Sequence, residues 1–302
     1  ARKTVSPSER SVLKWELVFI EKRGSVMTFT SKEQEKHYYE QEASEEEFLA
    51  WYKNQEQPQY EKPSVTVDMV LMCYNKEEDQ LKVALIQRKT NPYRNSWALP
   101  GGFVNPKEST GESVLRETQE ETSVVISARN IEQLHTFSTP NRDPRGWVVT
   151  VSYLAFIGED PLTAGDDAKQ VRWFALERQG ETVALTDQET EILLDLNTGE
   201  ALSDDRLAFD HSEIILKAFK RIMNKMENQP QVLQVLGENF TITEARKVFA
   251  KFLGVNYREI DHSNFKKSLL RFLEEVGVRS MGIGRPSKVY RLKSEILFDE
   301  FS

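Results

Sequence analysis

Hydrophobic positions change their spacing along this chain, and the changes mark its elements. Residues 1–62 are polar, charged and aromatic. Within them Ser44, with Glu47 three positions on, has the form of a capping box. It predicts a helix from Ser44 to Tyr52 whose apolar side carries Phe48, Leu49, Trp51 and Tyr52. Residues 55–63, with two prolines, read as a linker. Residues 64–75 predict a buried strand, and residues 81–87 its hairpin partner across the charged turn 75–79. Next come a strand at 97–99, a helix from about Thr110 to Thr122, and a strand near Val124. The run 146–157 is strongly β, 171–174 is a further short strand, and 187–196 looks helical up to Asn197-Thr-Gly199.

From residue 211 the spacing is helical. Ile214, Ile215, Ala218, Phe219, Ile222 and Met226 share one face of a helix over 212–227. A short helix over 231–236 follows. Another opens near Phe240, capped by Thr241 or Thr243, and stops at Gly254. A third runs from Ser263-Asn264 to Val276 and is closed by Gly277. Segments 278–283 and 289–292 then pair around Gly284-Arg-Pro-Ser-Lys288. Strands with helices inserted between them predict an α+β fold. The expected organisation is an extension (1–62), a first domain (63–206) and a module of three helices and a hairpin (207–296).

Composition narrows the possibilities. A length of 302 residues suggests about two domains. No apolar stretch reaches the roughly 18 residues that span a bilayer, so no membrane partner is expected. The N-terminal residues lack an apolar signal region. Cys73, the single cysteine, lies in the apolar run 65–74 and reads as a buried, inert thiol, which suits a reducing cytoplasm. The net charge of −8 is unevenly spread. Residues 211–293 carry 16 basic and 8 acidic side chains, a net +8, which leaves 24 basic and 40 acidic, a net −16, elsewhere. An acidic body with a basic module points to nucleic acid.

The candidate chemistry is concentrated in residues 102–124. Gly102, Glu108 and Arg116-Glu-Thr-Gln-Glu-Glu121 stand at fixed spacing, behind Trp97-Ala-Leu-Pro-Gly-Gly102. On a helix Glu117, Glu120 and Glu121 share one face, where their charges repel unless a cation intervenes. A hard divalent ion such as Mg²⁺ takes such oxygen ligands and keeps waters for a phosphate substrate. The plain alternative is a solvated acidic face. The run resembles the Nudix box, the signature of metal-dependent hydrolases of nucleoside diphosphates linked to another moiety. It departs from that pattern at Thr118, where an aliphatic residue is expected, and at Ser123, where glycine would meet a left-handed position without steric cost. Neither departure removes a carboxylate.

Two further segments carry chemistry. Arg142 and Arg145 flank Asp143 in the proline-rich loop 137–146, and arginine suits bidentate phosphate contact; the plain alternative is a local salt bridge. The loop resembles the Arg-Asp-Pro-Arg-Gly stretch of Nudix proteins that recognise ADP-ribose. The C-terminal module has the arrangement of a winged helix-turn-helix, with its third helix as reader of the major groove. Asn264, Lys266, Lys267 and Arg271 on that helix, and Arg285, Ser287 and Lys288 at the wing, are the candidate DNA contacts. The plain alternative is a basic subdomain for dimer contacts.

A Nudix domain followed by a winged helix resembles the Nudix-related transcriptional regulators of bacterial NAD metabolism. The resemblance implies a Nudix α/β/α sandwich with a C-terminal winged helix-turn-helix, and a homodimer on palindromic double-stranded operator DNA. It implies ADP-ribose, or a related NAD metabolite, at Arg88, Gly101, Gly102, Phe137, Arg142, Asp143 and Arg145. Because the carboxylates are intact, it also leaves open a Mg²⁺-dependent ADP-ribose pyrophosphatase. Glu117, Glu120 and Glu121 would then bind metal, with Glu120, Glu121, Arg116 and Glu108 as the catalytic set.

Overall fold

The computed structural model describes residues 19–22, 25–55, 60–165, 168–280 and 286–296. The chain divides into two compact units, 1–61 and 62–302. In the first, β1 (Phe19–Lys22) pairs antiparallel with β2 (Ser25–Thr28), and α1 (Lys32–Gln41) precedes α2 (Glu45–Asn54). Ser44 and Glu47 form the expected capping box. The helices meet through aromatic rings: Tyr39 stacks on Trp51 at 4.8 Å, and the Trp51 indole N–H donates to Glu35 at 3.0 Å. α1 lies in the polar stretch where no helix is predicted.

The second unit is built on a mixed sheet. Its strands are β3 (Ser64–Asn75), β4 (Gln80–Arg88), β5 (Trp97–Ala98), β6 (Gly101–Phe103), β7 (Ile131–Phe137), β8 (Val148–Phe156), β9 (Ala168–Gln179), β10 (Thr182–Thr186) and β11 (Glu191–Asp195). The order is β11-β10-β9-β4-β3-β8-β7, with β5 on β4 and β6 on β3. β3 is central. It runs parallel to β8, with Ser64 opposite Val148 and Met72 opposite Phe156, and antiparallel to β6 at its start and to β4 at its end.

Alternate β3 side chains serve opposite faces, as the period of two requires. Val67, Met69, Leu71 and Cys73 pack with Val114 of α3 (Thr110–Thr122). Val70, Met72 and Tyr74 face α4 (His211–Lys225). A sheet between α3 and α4 is the expected α/β/α sandwich. Cys73 is fully buried, and burial pushes its thiol well above the usual range, so it is inert.

The C-terminal module follows a 3-10 turn at Pro230–Leu236. It comprises β12 (Phe240–Thr241), α5 (Ile242–Leu253), α6 (His262–Leu269), β13 (Leu273–Arg279) and β14 (Ser287–Leu292). The strands form a small sheet in the order β12-β14-β13. Thr241, not Thr243, caps α5 in a reciprocal box with Glu244, and Gly254 ends it in the left-handed conformation. The module does not have a core of its own. Phe249 and Phe252 of α5, Phe265 of α6 and Tyr290 of β14 belong to the same buried cluster as Phe219 of α4 and Met72 of β3.

Three expectations fail. Residues 187–196 contain strand β11, not a helix, because Ile192 and Leu194 alternate with half-exposed neighbours and pair with β10. No strand forms near Val124, which is buried in an irregular segment, and the edge strand is β7 further on. The third helix stops at Leu269, where a 3-10 turn leads into β13. Residues 273–279 pair with β14, and Gly277 lies inside a strand at a register shift. Among the described residues no helix is long and apolar enough to cross a membrane.

Candidate functional site

The acidic helix is fixed at both ends by local chemistry. Ser109 and Glu112 form a capping box at its start. At its end Ser123 takes the left-handed conformation, φ 62°, and its N–H bonds the Gln119 carbonyl. Serine is tolerated there because its hydroxyl also reaches the Thr163 carbonyl at 3.2 Å. Segment 163–165 caps the last turn, with Thr163 and Gly165 N–H groups donating to Thr122 and Glu121 carbonyls at 3.0 and 3.3 Å. A Cβ on Gly165 would stand 1.8 Å from the Glu120 carbonyl oxygen, so only glycine fits. Thr118 is fully buried, and its hydroxyl is satisfied by the Val114 carbonyl at 2.7 Å.

Arg116 braces the acidic face. Its guanidinium contacts Glu108 at 3.0 Å, Glu117 at 2.8 Å and Glu120 at 3.1 Å. This holds the Glu108 carboxyl below its usual range, with help from Ser113. Glu121 is different. It is buried and accepts the Gly101 N–H at 2.9 Å. Burial, with Glu117 and Asp68 nearby, pushes its pKa up to about 8, against the Gly101 bond and Arg88. Burial likewise raises Glu117 despite Arg116. A Cβ on Gly102 would stand 2.4 Å from the Glu117 carboxylate, so the second glycine makes room for it.

These residues fit a hard divalent cation. Glu117 and Glu121 are oxygen donors whose charges are under-compensated, and a cation would relieve that. Glu120, the third predicted ligand, is mostly exposed and faces Arg116. Among the described residues no three acidic, histidine or cysteine side chains converge as a ready-made metal cage. Bound Mg²⁺ would supply a Lewis acid for a diphosphate and an activated water.

Beside the carboxylates lies a buried polar network in which Arg142 was the one member singled out as a candidate site residue. Asp68 of β3 accepts the Thr150 hydroxyl at 2.6 Å and stands 3.4 Å from His211 Nε2 and 3.9 Å from Arg142. His211 Nδ1 accepts the Leu99 N–H at 2.8 Å, so the proton of the neutral ring sits on Nε2, toward Asp68. Burial lowers the His211 pKa and keeps the ring neutral. Asp210 takes Arg142 in a two-bond fork, at 2.7 and 2.5 Å. One signal existed for Asp68, an acidic residue inside an otherwise apolar strand.

The predicted ligand arginines divide. Arg142 is buried and committed to Asp210, so it braces the buried network and offers no free fork. Arg145 is partly exposed and held by Asp143 through three contacts of 2.6 to 3.2 Å. Burial opposes the Asp143 charge, but these bonds outweigh it and its carboxyl titrates below the usual range. The Arg145 guanidinium lies 4.9 Å from the Phe103 ring and 5.3 Å from the Phe209 ring. Arg88 donates to the Pro92 carbonyl and also lies over Phe209, at 4.9 Å. Phe137 stands apart, edge-on to His135 and against the main core.

In the C-terminal module, Asp261 caps α6 by accepting the Asn264 N–H at 2.8 Å. Phe265 and Leu269 face inward, while Asn264 and Lys267 are exposed. Lys266, Ser287 and Lys288 meet in an open groove of about 570 Å³, which Thr241, Thr243 and His262 also line. Lys288 is paired with Glu275 at 2.7 Å. Arg271 turns away, toward Asn228 and over Phe272. Arg285 lies outside the described residues.

Comparison with known proteins finds two family matches along the chain. Residues 62–192 match the Nudix domain family, and residues 232–292 match the NrtR DNA-binding winged helix domain family. A solved MutT/nudix family protein from Enterococcus faecalis is 69% identical, covers 88% of this chain and 100% of its own, and superposes with a TM-score of 0.83. Shewanella oneidensis NrtR, solved in complex with a 27mer DNA, is 31% identical over 78% of this chain and 97% of its own, with a TM-score of 0.59. The ADPR responsive transcriptional repressor NtrR of Acinetobacter baylyi is 29% identical over 252 residues, 82% of this chain and 88% of its own. The chain belongs to the Nudix family, in the branch that joins a Nudix domain to an NrtR winged helix domain.

Proposed function

We propose that this chain is a transcriptional repressor that binds palindromic double-stranded operator DNA as a homodimer and senses ADP-ribose, or a closely related nucleotide, in its Nudix pocket. The observation that carries this reading is the role of α4. Its start supplies Asp210 and His211 to the pocket, and its body packs Phe219 on Phe252 of the winged helix, with ring centres 5.0 Å apart. A hydrolase alone has no need of that connection. The proposed DNA contacts are Asn264, Lys266, Lys267, Ser287 and Lys288, together with Arg285. The described wing and α6 cations would act mainly by neutralising phosphates, and helix α6 would read the major groove. Arg88 and Arg145 are the proposed phosphate ligands. The DNA-bound and ADPR-responsive relatives support the reading.

The test is selection of a binding site from random duplex DNA, followed by titration of the chosen fragment with and without ADP-ribose. Binding to the selected site should be about 10³-fold or more tighter than to unrelated duplex, with two chains per palindrome, and ADP-ribose should change the affinity. Sequence-indifferent binding would overturn the assignment.

Mg²⁺-dependent hydrolysis of ADP-ribose is a second reading, favoured by the retained, under-compensated Glu117 and Glu121. ADP-ribose incubated with protein and Mg²⁺, beside a Glu120→Gln/Glu121→Gln variant, decides it. AMP released only by the parent establishes catalysis. No AMP, with ADP-ribose still raising the melting temperature, leaves a sensor.

A further inference from the structure

We infer that Phe209 is a positioning residue that reports occupancy of the Nudix pocket to α4, by yielding Arg88 and Arg145 to the phosphates of a bound nucleoside diphosphate. The inference rests on the sensing function proposed above and assigns its first mechanical step.

Phe209 has φ 53°, a left-handed conformation that a bulky side chain keeps only when its surroundings hold it there. It packs against the small apolar cluster of Ile86, Ala98, Ala168 and Ala208, and among the described residues four aromatic or cationic groups also lie around its ring. Tyr93, itself at φ 59°, meets it edge-on at 4.8 Å, and His211 lies 5.3 Å away. The other two are the guanidinium groups of Arg88 at 4.9 Å and Arg145 at 5.3 Å. The next two residues are equally committed to the pocket, Asp210 to Arg142 and His211 to Asp68. Asp210 stands where a carboxylate ordinarily caps a helix, yet it makes no cap bond. Its side chain goes to Arg142 instead. Residues 209–211 thus break two local rules together, at the point where the pocket joins α4.

Arg88 and Arg145 are the movable members. Among the described residues Arg88 donates its Nε alone to a protein acceptor, the Pro92 carbonyl. Arg145 is partly exposed, and Asp143 takes its Nε and one terminal nitrogen. The two cations are close enough to repel, which an anion between them would relieve. A charge-assisted bond from guanidinium to phosphate outweighs an exposed cation–π contact. A bound diphosphate therefore draws both guanidiniums off the ring, and residue 209 loses its two cation–π contacts. The change passes to α4 as a body. The far end of that helix is anchored on β7 through Arg221 and Lys225 to Glu132, at 2.7 and 2.8 Å, and Phe219 faces Phe252 of α5.

The test compares the unaltered chain with Phe209→Leu, which keeps an apolar side chain without a π face, and with the conservative Phe209→Tyr. For each, ADP-ribose affinity is measured by calorimetry, and affinity for the selected DNA fragment by anisotropy, with and without saturating ADP-ribose. The unaltered chain should show a ratio of about 5- to 150-fold between the two DNA affinities. In Phe209→Leu both separate affinities should stay within about threefold while the ratio falls to about one, and Phe209→Tyr should restore it. A wild-type ratio retained in Phe209→Leu overturns the inference and leaves the sensing function standing. A ratio of one in the unaltered chain overturns both. Should the leucine variant fail to fold, hydrogen exchange in the unaltered chain decides. ADP-ribose should change protection at the first turn of α4, and unchanged protection there overturns the inference.

Discussion

Helices α3 and α6 each carry like charges, three glutamates on one face of the first and the adjacent Lys266 and Lys267 on the second, and each starts from a side-chain cap, Ser109 in one and Asp261 in the other. Their charges are handled in opposite ways. On α3 the acidic face is closed inward: Arg116 spans Glu108, Glu117 and Glu120, and Glu121 is buried with a backbone N–H as its bonded partner. On α6 no carboxylate among the described residues is paired with Lys266 or Lys267, and Lys266 opens on a groove. The first arrangement suits a small cation, because the raised Glu117 and Glu121 carboxyls would be relieved by one. The second suits an extended polyanion, which supplies its own counter-charges and releases the ions that shield them.

Removing Arg142, which braces the buried network beside the closed site, should have the largest effect. Arg142→Ala leaves Asp210 and Asp68 buried without their cation, and should cost about 3–5 kcal/mol in denaturant unfolding. A change below ~1 kcal/mol would mean the network is not closed as described. The open site should respond in binding alone. Lys266→Ala/Lys267→Ala should lower the salt slope of DNA binding by about two while leaving the melting temperature in place. An unchanged slope would remove α6 as the reading helix.

Glu121 offers a pH signature. Its folded pKa of about 8 lies above the ordinary 4.5, so between those values the folded chain holds a proton that the unfolded chain has lost. Stability from this group is therefore full below about pH 4.5, falls as pH rises toward 8, and is level above. Glu121→Gln should flatten that part of the Tm–pH curve and raise Tm at pH 8.5, by about 2–4 °C for each kcal/mol relieved. Mg²⁺ should raise the Tm of the parent at that pH more than that of the variant. Parallel curves for the two proteins would refute the buried charge.

The smallest effects are at the helix ends. Ser109→Ala and Asp261→Ala should each cost ~1 kcal/mol. Ser123→Gly should gain about 0.5–1 kcal/mol by relieving the left-handed strain, less whatever the lost Thr163 bond contributes. A loss on Ser123→Gly would show that the hydroxyl bond outweighs the strain.

Much of this was legible from local rules. The limits of α3, the caps at Ser44 and Thr241, the stop at Gly254 and the β3–β4 hairpin all depend on side chains within a few residues of the feature. The errors came where distant partners decide. Segment 187–196 carries enough Leu, Ile and Glu to read as helix, and becomes strand because β10 lies alongside. The helical spacing of residues 265–276 is real as far as Leu269, after which pairing with β14 captures the chain.

The site divides in the same way. Sequence by itself determined the acidic face of α3, the glycine pair before it and the charge imbalance between the two modules, since each is a matter of spacing or count. Only the tertiary structure decided which arginine is spent and which is exposed. Arg142 and Arg145 are indistinguishable in a proline-rich loop until Asp210, 68 residues on, claims the first and leaves the second over Phe103 and Phe209. The reason is physical: a buried cation must find a carboxylate in space, wherever the chain happens to supply it.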